Sequence, residues 1–254
     1  MATHSPTRIF HCSDVHFGVE NRAALDAFAK AAKEEGVDAV LCTGDVTQRA
    51  KHSEFADARD YFAQFECPVV LCPGNHDMPY YNMWERFTDP YLRFRRMKSA
   101  IASDVFRSPD IVFVPLKSTV RIQPRFPWSD GFVTDEALAE TLAHLKGLKS
   151  DPRQKLVICH HPLLGENEDA KNPTIGGDDA FAALAAAGGD AVISGHVHIP
   201  FDLTRQRGGH SMRMLGVGTL STRLRGAPPS YRVLTCALGR PIEEELRTLP
   251  EHTD

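Results

Sequence analysis

Short apolar, β-prone runs end in aspartate, asparagine or histidine at five places along the chain: RIFHCSD, DAVLCTGD, CPVVLCPGNHD, KLVICHH and DAVISGHVH. Between these runs the period of the pattern changes. Residues 21–35 put Leu25, Phe28, Ala29 and Ala32 on one face and end at Gly36, which predicts a helix followed by a buried strand over 37–43. A second helix over 53–65 leads through Pro68 into a strand over 69–72. Two successive strand–helix–strand units of this kind predict a parallel sheet. Farther on, Thr134 caps a helix over 134–148 whose apolar stripe is Leu138, Leu142 and Leu145. The alanine-rich stretch 179–187 is a short helix stopped by Gly188 and Gly189. Alternating residues 201–206 and 211–217 flank Arg207-Gly208-Gly209 and predict a hairpin, and further strands cover 230–237 and 242–249. With no internal repeat or linker, one domain over residues 1–254 is expected.

One segment breaks the rhythm. Residues 79–107 interleave Tyr80, Tyr81, Trp84, Phe87, Tyr91 and Phe94 with Arg86, Arg93, Arg95, Arg96 and Lys98. Two readings stand: an amphipathic helical insertion with a solvated basic face, or a helical cap that offers aromatic surfaces and cations to a substrate. The loop 163–177, with Glu166, Glu168 and Asp169, either gates an entrance or is an inert connector.

Composition narrows the class. The chain has 254 residues, enough for a large core, and a net charge of -4, which argues against a stable nucleic-acid complex. A small phosphorylated substrate held by a local positive site remains compatible, and so does a homodimer. No apolar stretch is long enough to span a bilayer and no signal-peptide core precedes Phe10, so a cytoplasmic location is expected. The six cysteines form no C-x-x-C pair. Cys12, Cys42, Cys72 and Cys159 sit beside the polar run ends, either as small buried apolar side chains or as a cluster that makes the site oxidation-sensitive.

Strands ending in the same direction would gather the five polar tips. Asp14, His16, Asp45, Asn75, His160, His196 and His198 then supply carboxylate, amide and imidazole donors, a mixture that suits manganese, iron, cobalt or zinc. On an extended backbone, Asp14 and His16, and likewise His196 and His198, would point the same way as i and i+2 pairs. The Asp45 carboxylate has two oxygens and can bridge two ions. Two metals roughly 3.5–4 Å apart lower the pKa of a shared water and clamp an in-line displacement at phosphorus. His76, beside a ligand but not needed as one, is placed to protonate a leaving oxygen, with Asp77 fixing its orientation. His161 is expected to point away from its neighbour His160.

In this order the five blocks resemble the calcineurin-like metallophosphoesterase superfamily, whose pattern is D-x-H, G-D, G-N-H-[DE], H and G-H-x-H. Within it, Gly131-Phe132-Val133-Thr134-Asp135, His160-His161-Pro162 and Gly218-Thr219-Leu220-Ser221 resemble the bacterial class III cyclic-nucleotide phosphodiesterase-like group. The resemblance implies a four-layer α/β/β/α sandwich of two mixed sheets flanked by helices, with metals at the strand C-terminal ends. It implies that Asp14, His16, Asp45 and His198 hold one metal and that Asp45, Asn75, His160 and His196 hold the other, with His76 catalytic. A tyrosine after Gly-Asp, as in purple acid phosphatases, is replaced here by Val46-Thr47-Gln48. The expected activity is hydrolysis of a small phosphodiester, a cyclic nucleotide among the candidates. The alternatives are pyrophosphate hydrolysis in a UDP-lipid precursor and a catalytically inactive scaffold.

Overall fold

Period-two burial along the strands builds two sheets with three apolar layers around them. The computed structural model describes residues 4–101, 106–123, 128–165 and 173–249; Glu166, Glu168 and Asp169 of the expected gate fall outside them. In chain order the elements are β1 (Thr7–Cys12), α1 (Arg22–Glu35), β2 (Ala39–Cys42), α2 (His52–Phe62), β3 (Val69–Leu71), α3 (Met83–Thr88), α4 (Leu92–Ala100), β4 (Ile111–Pro115) and β5 (Gly131–Phe132). They continue with α5 (Asp135–Gly147), β6 (Gln154–Ile158), β7 (Thr174–Ile175), α6 (Gly177–Ala186), β8 (Ala191–Ser194), β9 (Phe201–Arg207), β10 (His210–Gly216), β11 (Ser230–Cys236) and β12 (Glu243–Thr248).

The first sheet runs β12-β11-β1-β2-β3 and the second β4-β6-β8-β10-β9, with β5 and β7 as a separate parallel pair. In the first sheet β1, β2 and β3 are parallel, and β11 and β12 complete it antiparallel. In the second, β4, β6, β8 and β10 are parallel and only β9 runs against its neighbour. Alternate residues explain the stacking. Ile9, Ala39 and Leu41 face Leu156, Ile158, Ala191, Ile193 and Leu215 between the sheets. Phe10, Cys12, Val40, Cys42, Val69 and Leu71 face the other way, toward α1, α2 and α4. Val157, Val192, Met212 and Met214 face α5 and α6. Strands buried on both faces read as continuous apolar runs, which is why β1, β2, β6 and β8 were legible. The result is the expected α/β/β/α sandwich.

Local chemistry sets the helix ends. The Asn21 side chain accepts the Ala24 N–H at the start of α1, and Gly36, at φ 58°, closes it with a left-handed turn that only glycine adopts freely. Thr134 caps α5 through Ala137 N. Two polar ties join the sheets. Asp110 accepts the backbone and hydroxyl of Thr7 and the Leu238 N–H. Arg232 of β11 donates to the carbonyls of Gly216 and Phe201 and pairs with Glu244.

The 79–107 segment divides between the two expectations. In α4, Phe94 and Met97 are buried in the helix-facing core, and α4 lies against α2 as part of that layer. Tyr80, Tyr81, Met83 and Trp84 of the first half stay exposed, Trp84 by 78%. The cysteines separate as well: Cys12 and Cys42 lie in register on neighbouring strands, Cys72 lies between the sheets, and Cys159 belongs to the α5–α6 side. All four are buried, with Cys12 acting on Cys42 and Cys72 on Cys159. No helix among the described residues is long and apolar enough to cross a membrane.

Phe28 organises the first helical layer, with ring centroids 5.7 Å from Phe10, 5.0 Å from Tyr231 and 6.0 Å from Phe65. Truncation to alanine would leave a cavity lined by three rings, so Phe28→Ala should lower stability by about 3–5 kcal/mol. A shift of the urea midpoint worth less than about 1 kcal/mol would show that this layer collapses around the gap.

Candidate metal centre

All five polar tips meet at the C-terminal ends of the parallel strands, but they come from two sheets rather than one. Asp14 and His16 follow β1, Asp45 follows β2, Asn75 follows β3, His160 follows β6, and His196 and His198 follow β8. The i, i+2 pairs are not extended as expected. Asp14 and His16 have φ of 55° and 50°, Asp45 has 50°, and His196 and His198 have 73° and 61°. Among the described residues the only other non-glycine at positive φ is Ala50. Asp and His enter the left-handed region more readily than most residues, yet it costs about 1–2 kcal/mol each. Left-handed turns at alternate positions fold each loop back under its own strand, which aims both side chains of a pair into one cavity.

Two glycines permit the crowding. A Cβ on Gly195 would lie 1.8 Å from Ser13 Oγ and 2.6 Å from Asp14 Oδ2. One on Gly74 would lie 2.1 Å from Asp45 Oδ1.

Each carboxylate spends one oxygen on the backbone and turns the other inward. Asp14 Oδ2 accepts His196 N–H at 2.8 Å, while Oδ1 lies 3.1 Å from His198 Nε2. Asp45 Oδ1 accepts His76 N–H at 2.7 Å; Oδ2 lies 3.8 Å from His16 Nε2 and 3.4 Å from His160 Nε2. Backbone carbonyls fix two of the imidazoles: His198 Nδ1 donates to Arg223 O at 2.6 Å and His160 Nδ1 to Thr43 O at 2.8 Å. Carbonyls only accept, so in the neutral rings both Nε2 atoms are lone pairs. His198 Nε2 therefore faces Asp14 Oδ1 and, at 3.3 Å, His16 Nε2, with no hydrogen available between acceptors. His160 Nε2 likewise faces Asp45 Oδ2 and, at 3.1 Å, Asn75 Oδ1. Such an arrangement is stable only around a cation, either a proton or a metal. The donor set passes the test for a metal: carboxylate, amide and imidazole atoms converge, Asp14, His16 and His198 on one side and Asp14, Asp45 and His160 on the other.

Charge states follow from the same geometry. Burial raises the Asp14 carboxyl, but His198 and the charge on His160 outweigh it and hold it below the usual range. Asp45 is held well below its ordinary value in the same way, chiefly by His160. Burial pushes His16 and His196 down to about 3, so both are neutral donors. His160 moves the other way: burial opposes its charge, but Asp45 raises it to about 9.

Two sequence expectations change here. His161 does not point away; its ring packs 4.6 Å from His160 and 4.4 Å from His196. Its nitrogens are both taken, Nε2 donating to Ser129 O at 3.0 Å and Nδ1 meeting Ser118 Oγ at 2.9 Å, so it supports the ligands without joining them. Asp77 does not reach the His76 ring. Fully buried, it accepts the N–H groups of Gly74, Val46 and Thr47 and the Thr47 hydroxyl, and so ties the loop after β3 to the loop after β2. What orients His76 is the Gln48 carbonyl, which accepts from Nδ1 at 2.7 Å. Sequence reasoning also missed Arg223, whose Nη1 lies 3.1 Å from His76 Nε2 and 3.4 Å from His16 Nε2. It stands outside every motif, and no spacing signal marks it.

The calcineurin-like phosphoesterase family model matches residues 7–200, from β1 through the last two histidine ligands. The chain belongs to the calcineurin-like phosphoesterase family. As a member it is a metal-dependent phosphoric ester hydrolase. A "probable cyclic nucleotide phosphodiesterase" of Synechococcus is 26% identical over 208 residues, 76% of this chain and 74% of that one. Among solved structures, a dimetal phosphatase from Danio rerio shares the fold at a TM-score of 0.62 and 16% identity, covering 96% of this chain and 99% of that one. The purple acid phosphatase PPD1 of yellow lupin reaches 0.69 at 13% identity over 97% of this chain and 52% of its own. After Gly44-Asp45 this chain continues Val46-Thr47-Gln48, with Val46 and Thr47 buried.

In the metal-free protein Asp45 keeps His160 protonated up to about pH 9. A metal must displace that proton, so apparent affinity should rise about tenfold per pH unit below this point. Calorimetric metal titrations near neutral pH, in buffers of different ionisation enthalpy, should report about one proton released per chain from this group. Release of none would place His160 outside the ligand set.

Proposed function

We propose that the protein hydrolyses a small phosphodiester, with a nucleotide diester the favoured substrate, at a binuclear centre. The observation that carries this reading is Asp45 Oδ2, which lies between His16 Nε2 and His160 Nε2 at 3.8 and 3.4 Å. One oxygen shared by two ligand groups suits two adjacent cations. Asp14, His16, Asp45 and His198 would hold the first, and Asp45, Asn75, His160 and His196 the second; manganese, iron, zinc and cobalt all suit these donors. When bound, such a pair supplies an activated water and neutralises charge building on the phosphoryl oxygens.

The chain's own residues do the rest. As water oxygen bonds to phosphorus, the ester P–O bond breaks and the leaving oxygen needs a proton. His76 is positioned for that transfer: its Nδ1 donates to Gln48 O, so Nε2 is the ring atom that can take up a proton lost by the attacking water and pass it to the leaving oxygen. An alkoxide leaving group gains most from such an acid, which favours a diester. The wall beside His76 continues through Gln48 and Arg49 to Tyr81, whose hydroxyl accepts from Arg49 at 3.1 Å. With the exposed Tyr80 and Trp84, this first half of the 79–107 segment forms an aromatic and cationic flank suited to a base, consistent with the activity named for the Synechococcus relative. The same exposed aromatics would also suit an acyl chain, which keeps the UDP-lipid pyrophosphate reading as the second candidate. A complete ligand set argues against an inactive scaffold.

Bis(p-nitrophenyl) phosphate should be turned over faster than p-nitrophenyl phosphate by manganese-loaded protein, and neither by metal-stripped protein. Preference for the monoester would overturn the diester assignment. Asp45→Ala and Asn75→Ala should each reduce diester turnover by about 10³-fold or more while circular dichroism stays unchanged. Near-normal turnover at saturating manganese in either variant would contradict the assigned ligands.

A further inference from the structure

We infer that Arg223 is a catalytic residue that binds the scissile phosphoryl group, its guanidinium taking a non-bridging oxygen opposite the metal ligands. The inference rests on the phosphoesterase reading and adds to it a phosphate receptor that lies outside the ligand motifs.

Arg223 is half-buried, and its Nη1 points between His76 Nε2 at 3.1 Å, Gln48 Oε1 at 3.3 Å and His16 Nε2 at 3.4 Å. His16 is one of the imidazoles whose lone pair suits a metal. A permanent cation aimed at a site built for cations is repelled once that site fills, unless an anion lies between them. The substrate's phosphoryl group is that anion. Its geometry also fits, because guanidinium offers directed N–H donors that match phosphate oxygens.

The present partners of Nη1 read as placeholders. Each imidazole nitrogen accepts from it only while its lone pair is otherwise unused. Once the His16 lone pair is engaged elsewhere, one N–H loses its acceptor and faces the space where substrate must lie. When a phosphoryl oxygen takes over the Arg223 donors, the His76 Nε2 lone pair is also released and can take up the proton that the leaving oxygen then receives. One side chain thus couples phosphate binding to freeing the proton carrier.

The backbone around Arg223 is held firmly enough for such a task. Its N–H donates to Ser221 Oγ at 3.2 Å, and Ser221 Oγ pairs with Thr219 Oγ1 at 2.7 Å. Thr222 donates twice to Val19 O, from N at 3.0 Å and from Oγ1 at 2.9 Å. Thr219 Oγ1 in turn donates to Asp14 O at 2.6 Å, so the Arg223 loop is fastened to the loop that carries Asp14 and His16. The Arg223 carbonyl orients His198 whatever the side chain, which means that substitution should leave that ligand contact in place.

The test compares Arg223→Ala, Arg223→Met and Arg223→Lys with the unaltered protein, all loaded with manganese. Metal content is measured first, then orthophosphate affinity by calorimetry, then diester kinetics. We expect metal content to be kept in at least one variant and orthophosphate affinity to fall roughly tenfold or more in the alanine and methionine variants. Their kcat/KM should fall by about 10²–10³, with lysine intermediate and added guanidinium partly restoring Arg223→Ala. Orthophosphate affinity within twofold of the unaltered protein in a metal-retaining variant would overturn the inference. Loss of metal from all three variants would also overturn it, by making Arg223 a support of the metal site. Failure of the unaltered protein to hydrolyse any phosphate ester would instead remove the broader reading, while the orthophosphate comparison would still report on Arg223.

Discussion

Lone pairs that face one another without a hydrogen between them are the demand that shapes this molecule. Asp14 Oδ1, His16 Nε2 and His198 Nε2 meet on one side of the centre, and Asp45 Oδ2, Asn75 Oδ1 and His160 Nε2 on the other. Left alone, these groups would turn away or take up protons. Four of the six are kept in place by backbone hydrogen bonds to their far side: His196 N–H on Asp14, His76 N–H on Asp45, Thr43 O on His160 and Arg223 O on His198. Those backbone groups belong to loops from both sheets. The two-sheet packing, with Leu41 and Ile9 against Ile158 and Ile193, is therefore what sets one half of the centre against the other.

Local strain is part of the same balance. Five candidate ligand residues hold left-handed backbone, a total cost of several kcal/mol at about 1–2 kcal/mol each. Capture of a tightly held divalent metal by imidazole and carboxylate donors can be worth about 10 kcal/mol or more. A bound metal would offset strain of this size. Without metal, the proton on His160 is a weaker substitute, paired chiefly with Asp45 and acting also on Asp14.

Much of this was legible in the sequence, for identifiable reasons. Ligand identity is chemistry, and chemistry is written in residue type: every inward-facing acceptor named above lies in one of the five polar run ends. Strand positions were legible because strands buried on both faces are apolar throughout. What failed was inference about direction. Extended geometry was assumed for Asp14-Val15-His16, whereas alternating left-handed turns do the aiming. His161 was sent outward by a period-two rule that does not apply beyond the strand end at Ile158. Asp77 was assigned to its neighbour's ring, but three backbone donors and a hydroxyl compete for its two oxygens and win. The 79–107 segment was ambiguous because amphipathicity cannot say which half will find a core; Phe94 and Met97 did, and Tyr80, Tyr81 and Trp84 did not.

Arg223 shows why a motif is an incomplete description of a site. Metal ligands recur at strand ends because two ions need donors from several directions, and that requirement leaves a signature. A phosphate receptor needs only one long cationic side chain with reach, and any loop near the rim can provide it. In the proposed reading the loop between β10 and β11 would do so, because Thr222 fastens it to Val19 and brings Arg223 beside His16. Position in space, fixed by strand order, gives this arginine its meaning. Read one residue at a time, Thr222-Arg223-Leu224-Arg225 is a basic turn like many others. Placed between His16 and His76, its first arginine is the cation that the proposed reading pairs with the substrate's phosphoryl group.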